Sequence, residues 1–85
     1  MATIPPPQSP LQSITQSIIK VDPGILGGEP VFRGTRVPVE TFWDYLEGGY
    51  SMDEFLVQYP GVKREQCVGL VMAARDKVMT DARAA

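Results

Sequence analysis

The sequence contains no histidine and a single cysteine, Cys67, among its 85 residues. Without histidine, the chain cannot form a Ser-His or Cys-His nucleophile pair, an imidazole general base or a histidine-ligated zinc site. A single cysteine cannot close a disulfide within the chain or supply a Cys-x-x-Cys metal or redox site. We therefore expect a cytoplasmic protein that is not an enzyme and that uses no metal, cofactor or small-molecule substrate.

Long apolar segments are also lacking. The longest stretch without a polar side chain, Val68–Ala74, is far shorter than the roughly 20 residues of a membrane-spanning helix. The sequence also does not open with the basic region and apolar run of a secretion signal. We expect neither membrane insertion nor export.

The beginning of the sequence is uncharged and rich in proline, serine and glutamine. Such a composition buries too little apolar surface to offset the entropy lost on ordering. Residues 1–16 are therefore predicted to form a disordered tail, with a ligand for a proline-recognition domain as the alternative. One folded domain is expected over residues 17–80, followed by a frayed C-terminus over residues 81–85.

Extended structure is predicted at the start of this domain. Ser17–Val21 is rich in β-branched residues and is followed by the turn sequence Asp22-Pro23-Gly24. Further along, Val31–Arg33 and Val37–Val39 flank Gly34, and prolines interrupt any helical period. The pattern predicts a short β-arm or hairpin.

Three stretches of helical periodicity follow the arm. The first begins at Pro38 and ends at Gly48-Gly49, with apolar residues spaced i, i+3, i+4 and i+7 at Val39, Phe42, Trp43 and Leu46. The second begins with a capping box formed by Ser51 and Glu54 and ends at Pro60-Gly61. The third extends from Lys63 to about Met79. The fold class is therefore mainly α, a three-helix bundle whose second and third helices resemble a helix-turn-helix.

The third helix has an unusually wide apolar arc. One stripe comprises Cys67, Val71, Ala74 and Val78, and an adjoining one comprises Val68, Met72 and Met79. This arc exceeds the roughly 100° needed to face a single core. We expect an assembly interface formed by Val68, Met72, Met79 and Trp43, although Trp43 can instead join its neighbour Phe42 in the core.

The chain has a net charge of −2, and its charged residues are distributed unevenly along the sequence. Residues 40–54 carry five acidic and no basic side chains, whereas the segments on either side are mildly basic. A sequence pI near 4.9 disfavours strong non-specific DNA binding by the monomer, because affinity for DNA depends largely on phosphate neutralisation. Any DNA contact must therefore be local.

The candidates for such a contact lie in the arm and at the start of the third helix. Gly34 permits a turn in which Thr35 and Arg36 project together, with Arg33 just before it. These arginines can instead be structural, pairing with Glu29 or with acids of the first helix. Two further cations, Lys63 and Arg64, begin the third helix, where the helix dipole disfavours positive charge; they either meet a partner or are simply solvated.

The segment from Gly28 to Val39 resembles the signature of a bacterial family, domain of unknown function 433, which has the pattern G-x-P-x-x-x-G-T-R-x-P-V. A second family stretch is matched by Leu46, Gly49, Ser51, Glu54, Leu56 and Tyr59-Pro60. The resemblance extends from about Ile18 to Met79. One departure is Lys63, which stands where the family usually has a Ser or Thr helix cap, so the third helix is expected to start less sharply.

The resemblance implies a homeodomain-like helix-turn-helix bundle preceded by the β-arm. It also implies the antitoxin of a type II toxin–antitoxin pair, which neutralises a PIN-like nuclease toxin by direct binding and, with its complex, represses its own operon. The expected partners are this toxin, a second copy in a homodimer, and operator DNA. Two other functions stay open: a stand-alone helix-turn-helix transcriptional regulator, and a protein-interaction module that never contacts nucleic acid.

Overall fold

The computed structural model describes residues 17–84; the predicted disordered tail lies outside this range. In the described part, two short strands precede three helices. They are β1 (Ile19–Lys20), β2 (Val31–Phe32), α1 (Val39–Glu47), α2 (Met52–Gln58) and α3 (Arg64–Ala84). This confirms the mainly helical three-helix fold with its hairpin. No helix between residues 17 and 84 combines the length and the apolar character needed to cross a membrane.

The arm is built around β2. On one side β2 pairs antiparallel with β1, with Ile19 opposite Phe32. On the other side the chain turns at Gly34 and returns, so that a single antiparallel bridge joins Val31 to Pro38. The Phe32 amide donates to the carbonyl of Val37 at 3.0 Å. Because this turn leads directly into α1, the arm fixes where the first helix begins.

The core is centred on three phenylalanines, one from each of β2, α1 and α2. Phe32, Phe42 and Phe55 are each fully buried. Their ring centroids lie 6.1, 5.9 and 5.1 Å apart, within the range of favourable edge-to-face and tilted aromatic pairs. The cluster therefore joins the arm to the first two helices.

The two later helices begin differently. At α2 the predicted capping box is present: Ser51 Oγ accepts from the Glu54 amide at 3.1 Å, and the Glu54 carboxylate accepts from the Ser51 amide at 3.0 Å. At α3 the Lys63 side chain cannot accept a hydrogen bond. The Gln66 side chain supplies the reciprocal half of a box by accepting from the Lys63 amide at 2.9 Å.

The buried face of α3 coincides only in part with the first of the two predicted apolar stripes. The buried residues are Cys67, Leu70 and Ala73, whereas Ala74 and Val78 of the predicted stripe are exposed. The helix also continues to Ala84, beyond the predicted end near Met79. The bundle is short and covers only the first half of this helix. The rest extends past the core, and no other element between residues 17 and 84 buries its apolar side chains.

Candidate functional site at the arm tip

The tip of the arm faces the start of α3 across an open cleft of about 680 Å³. Its lining residues come from the arm, from the turn before α3 and from the first turn of that helix: Ser17, Ile18, Arg33, Gly34, Gly61, Lys63, Glu65 and Gln66. The cleft therefore brings together three of the six predicted binding residues, Arg33, Gly34 and Lys63.

Gln66 holds the two sides of this cleft together. Its side-chain oxygen accepts from the backbone amide of Lys63, and its side-chain nitrogen donates to the backbone carbonyl of Arg33 at 3.0 Å. Sequence reasoning missed this residue. Its position three residues after Lys63, the residue that precedes α3, was the available signal, because a capping box carries Glu or Gln there.

Arg33 lies along the arm. Its backbone amide donates to the carbonyl of Ile18 at 2.7 Å, and its guanidinium donates to the carbonyl of Ile19 at 3.1 Å. Among residues 17–84 it forms no ion pair with Glu29 or with an acid of α1, which were its possible structural partners. A guanidinium has five N–H donors, so this exposed side chain retains donors for a partner.

The next two predicted residues behave differently from one another. The Thr35 hydroxyl donates to the carbonyl of Phe32 at 2.8 Å and accepts from the amide of Val37 at 3.0 Å. Thr35 therefore shapes the turn, and the expectation that it projects together with Arg36 is wrong. Arg36 is exposed and forms no hydrogen bond or ion pair within the described residues. Gly34 has φ of +84°, as the predicted turn requires.

The two cations that precede and begin α3 point to different surroundings. Lys63 lines the cleft, and its side chain has no ion partner in the part of the chain described. Arg64 instead forms an ion pair with Asp53 of α2, and this hydrogen bond and charge raise the pKa of the guanidinium. Arg64 therefore links two helices and does not belong to the cleft.

The predicted assembly residues also divide into two groups. Val68, Met72 and Met79 on α3 have exposed fractions of 43%, 47% and 36%, and the neighbouring Val78 reaches 64%. We call these four residues the outer apolar face of α3. Trp43 is only partly exposed and packs against the core, with its ring centroid 5.2 Å from that of Phe42. Trp43 therefore packs in the core beside Phe42, which was the alternative to a place in the assembly interface.

Residues 19–69 match the family model described as Protein of unknown function (DUF433). The chain belongs to this family. The match covers the arm, α1, α2 and the beginning of α3 as far as Gly69. Three of the four residues of the outer apolar face, Met72, Val78 and Met79, lie beyond it.

A solved structure agrees with this assignment, and a curated relative is similar to part of the chain. The crystal structure of a DUF433 member from Anabaena variabilis ATCC 29413 is 28% identical and superposes with a TM-score of 0.61, covering 87% of this chain and 73% of that one. The uncharacterized protein y4eO of Sinorhizobium fredii (strain NBRC 101917 / NGR234) is 39% identical over 51 residues. That match covers 60% of this chain but only 23% of y4eO, so the matched segment is a small part of that longer protein.

Proposed function

We propose that this DUF433 protein is a non-enzymatic antitoxin of a cytoplasmic type II toxin–antitoxin pair. It binds a PIN-like nuclease toxin and, as a homodimer or in the toxin complex, the operator DNA of its own operon. The observation that carries the proposal is the arm-tip cleft, where Arg33 and Lys63 meet at the start of a long helix. The family's motif residues shape the turn on which this cleft depends.

The arm-tip cleft suits a phosphate group of DNA. Two basic side chains line it, and the first amides of α3 give that end of the helix a partial positive charge. Glu65 is the one acidic residue in its lining. Among the predicted binding residues, Arg64 is already paired with Asp53, which leaves Arg33, Lys63 and Arg36 as the cations that can contact DNA. Such contacts position a protein on DNA without reading its sequence.

Dimerisation is proposed through the outer apolar face of α3. Packing the outer apolar faces of two chains against each other would remove exposed methionine and valine side chains from water. It would also place two arm-tip clefts on one particle, as helix-turn-helix proteins do when they bind two half-sites. Because each chain carries a net charge of −2, a dimer would gain affinity for DNA only from its two sets of local phosphate contacts, not from its net charge.

The test is binding to the DNA upstream of the gene, measured by fluorescence anisotropy at several salt concentrations. It is done for the chain alone and with the product of any adjacent nuclease gene. Lys63→Ala and Arg33→Ala are each expected to weaken binding across sequences and to lower the salt slope by about one. Arg64→Ala is the matched control, because the Arg64 guanidinium already forms an ion pair with Asp53. Equal losses in all three variants would contradict a role for the cleft.

The acidic segment formed by residues 40–54 favours a second candidate, a protein-interaction module that never contacts nucleic acid. This candidate predicts that partner binding survives in a folded Arg33→Ala, Arg36→Ala double variant. A stand-alone transcriptional regulator predicts instead that promoter binding needs both arginines and that no nuclease gene lies beside this one. The same anisotropy experiment separates the three functions.

A further inference from the structure

A second cleft opens between the end of α1 and α2. Its volume is about 580 Å³, and its lining residues are Asp44, Tyr45, Tyr50, Glu54 and Gln58. It shares no lining residue with the arm-tip cleft. The proposed DNA contacts therefore leave this surface unused.

Two tyrosine rings form an open corner in this cleft. The centroids of Tyr45 and Tyr50 lie 5.4 Å apart with an interplanar angle of 53°. A hydrogen bond from the Tyr50 amide to the Tyr45 carbonyl, 2.9 Å long, fixes the turn between them. Tyr45 is supported from behind by Phe55 and Tyr59, at centroid distances of 5.4 and 5.9 Å, whereas 57% of Tyr50 is exposed. The faces of such rings attract cations.

The charges around the corner also favour a cation. The Asp44 carboxylate has no ion partner among residues 17–84, while the Glu54 carboxylate is engaged in the capping box. The last carbonyls of α1 add partial negative charge at the same end. Burial, together with Tyr59, raises the pKa of Tyr45.

We propose that this cleft binds the guanidinium or ammonium group of a basic side chain from a protein partner. DNA is excluded as its ligand, because residues 40–54 carry five acidic and no basic side chains and would repel phosphate. The chain's own first sixteen residues are also excluded, since they contain no charged side chain. A bare metal ion fits poorly, because no group of three or more metal-ligating side chains occurs in the described range.

This inference does not depend on the antitoxin proposal and is tested separately. The full chain, labelled with ¹⁵N, is titrated with the peptide acetyl-Arg-Arg-Arg-amide, and amide shifts are followed by NMR. Shifts are expected at residues 44, 45 and 50. A triglutamine peptide of the same length should leave these amides unchanged.

Three variants decide the result. Tyr50→Leu removes an exposed ring and is expected to raise the Kd for the peptide about fivefold. Asp44→Asn should weaken binding similarly, whereas Glu40→Gln, on the same helix but outside the cleft, should not. Equal weakening by Asp44→Asn and Glu40→Gln would show general attraction to an acidic surface and overturn the proposal. Shifts that avoid both tyrosines would also overturn it. Amide spectra of each variant verify that it is folded.

Discussion

The side chain of Gln66 on α3 is bonded to the backbone carbonyl of Arg33 in the arm, 33 positions earlier in the sequence. The same amide group accepts from the backbone of Lys63 and so completes the start of the helix. One side chain therefore fixes both the helix start and the position of the arm tip. The spacing between the two proposed DNA-contacting cations depends on it.

Replacing Gln66 should separate these two roles. Gln66→Ala loses both hydrogen bonds and is expected to lower the free energy of unfolding by about 1–3 kcal/mol. Gln66→Glu can still accept from the Lys63 amide but cannot donate to the Arg33 carbonyl. It should therefore lower the free energy of unfolding less than Gln66→Ala does, and it should speed amide hydrogen exchange more in the arm than in α3. Urea unfolding and hydrogen exchange measure the two effects. Gln58→Ala, an exposed glutamine of α2, is the control expected to be nearly neutral.

Gly34→Ala tests the turn that carries the arm tip. A Cβ at this position would meet no atom within 4 Å, so only the φ of +84° disfavours alanine. The free energy of unfolding is expected to fall by about 1–2 kcal/mol. Gly61→Ala is the matched control in the same cleft. Its Cβ would lie at an ordinary 3.7 Å from Thr35, and its φ is not positive. Similar unfolding free energies for the two variants would argue against a strained turn.

Gly69 allows the arm to approach α3. A Cβ there would lie 2.5 Å from Cδ1 of Ile18. Gly69→Ala should therefore raise the free energy of unfolding by less than the roughly 1 kcal/mol expected from helix propensity. Ile18→Val removes Cδ1. In a double-mutant cycle, the free energy of unfolding of the double variant is therefore expected to exceed the value obtained by adding the two single effects by about 1 kcal/mol. Ile19→Val, which does not reach Gly69, should show no such coupling.

Cys67 is a pH-sensitive part of the core. Burial raises the pKa of its thiol to about 11. The unfolded thiol titrates near pH 9, so between about pH 9 and pH 11 the unfolded state loses a proton that the folded state keeps, and stability falls as pH rises. The difference in unfolding free energy between the wild type and Cys67→Ala should therefore narrow over this interval. A constant difference from pH 7.5 to pH 10.5 would be inconsistent with a protonated core thiol.

The outer apolar face of α3 should govern self-association. We expect light scattering to show a dimer at micromolar concentrations, and Met72→Lys combined with Met79→Lys to give a monomer. Val57→Lys on α2, where 75% of the valine is exposed, should leave the dimer intact and controls for added charge. A monomeric wild type would remove the assembly interface from the proposal.

Local features of the fold were predictable because their causes lie close together in sequence. The capping box between Ser51 and Glu54 spans one helical turn, and the positive φ at Gly34 belongs to one residue. Helix α1 likewise follows from its i, i+3, i+4 and i+7 apolar spacing. The family motif, a continuous segment, was sufficient to identify the DUF433 domain.

The sequence alone therefore determined the three helices and the arm. The tertiary structure decided which side chains face each cleft. It paired Arg64 with Asp53 and placed Gln66 between the helix and the arm. It also selected Cys67, Leu70 and Ala73 as the buried face of α3. The reason is that each of these outcomes depends on a distant element or on the finite length of the bundle, and neither leaves a periodic signal in the chain.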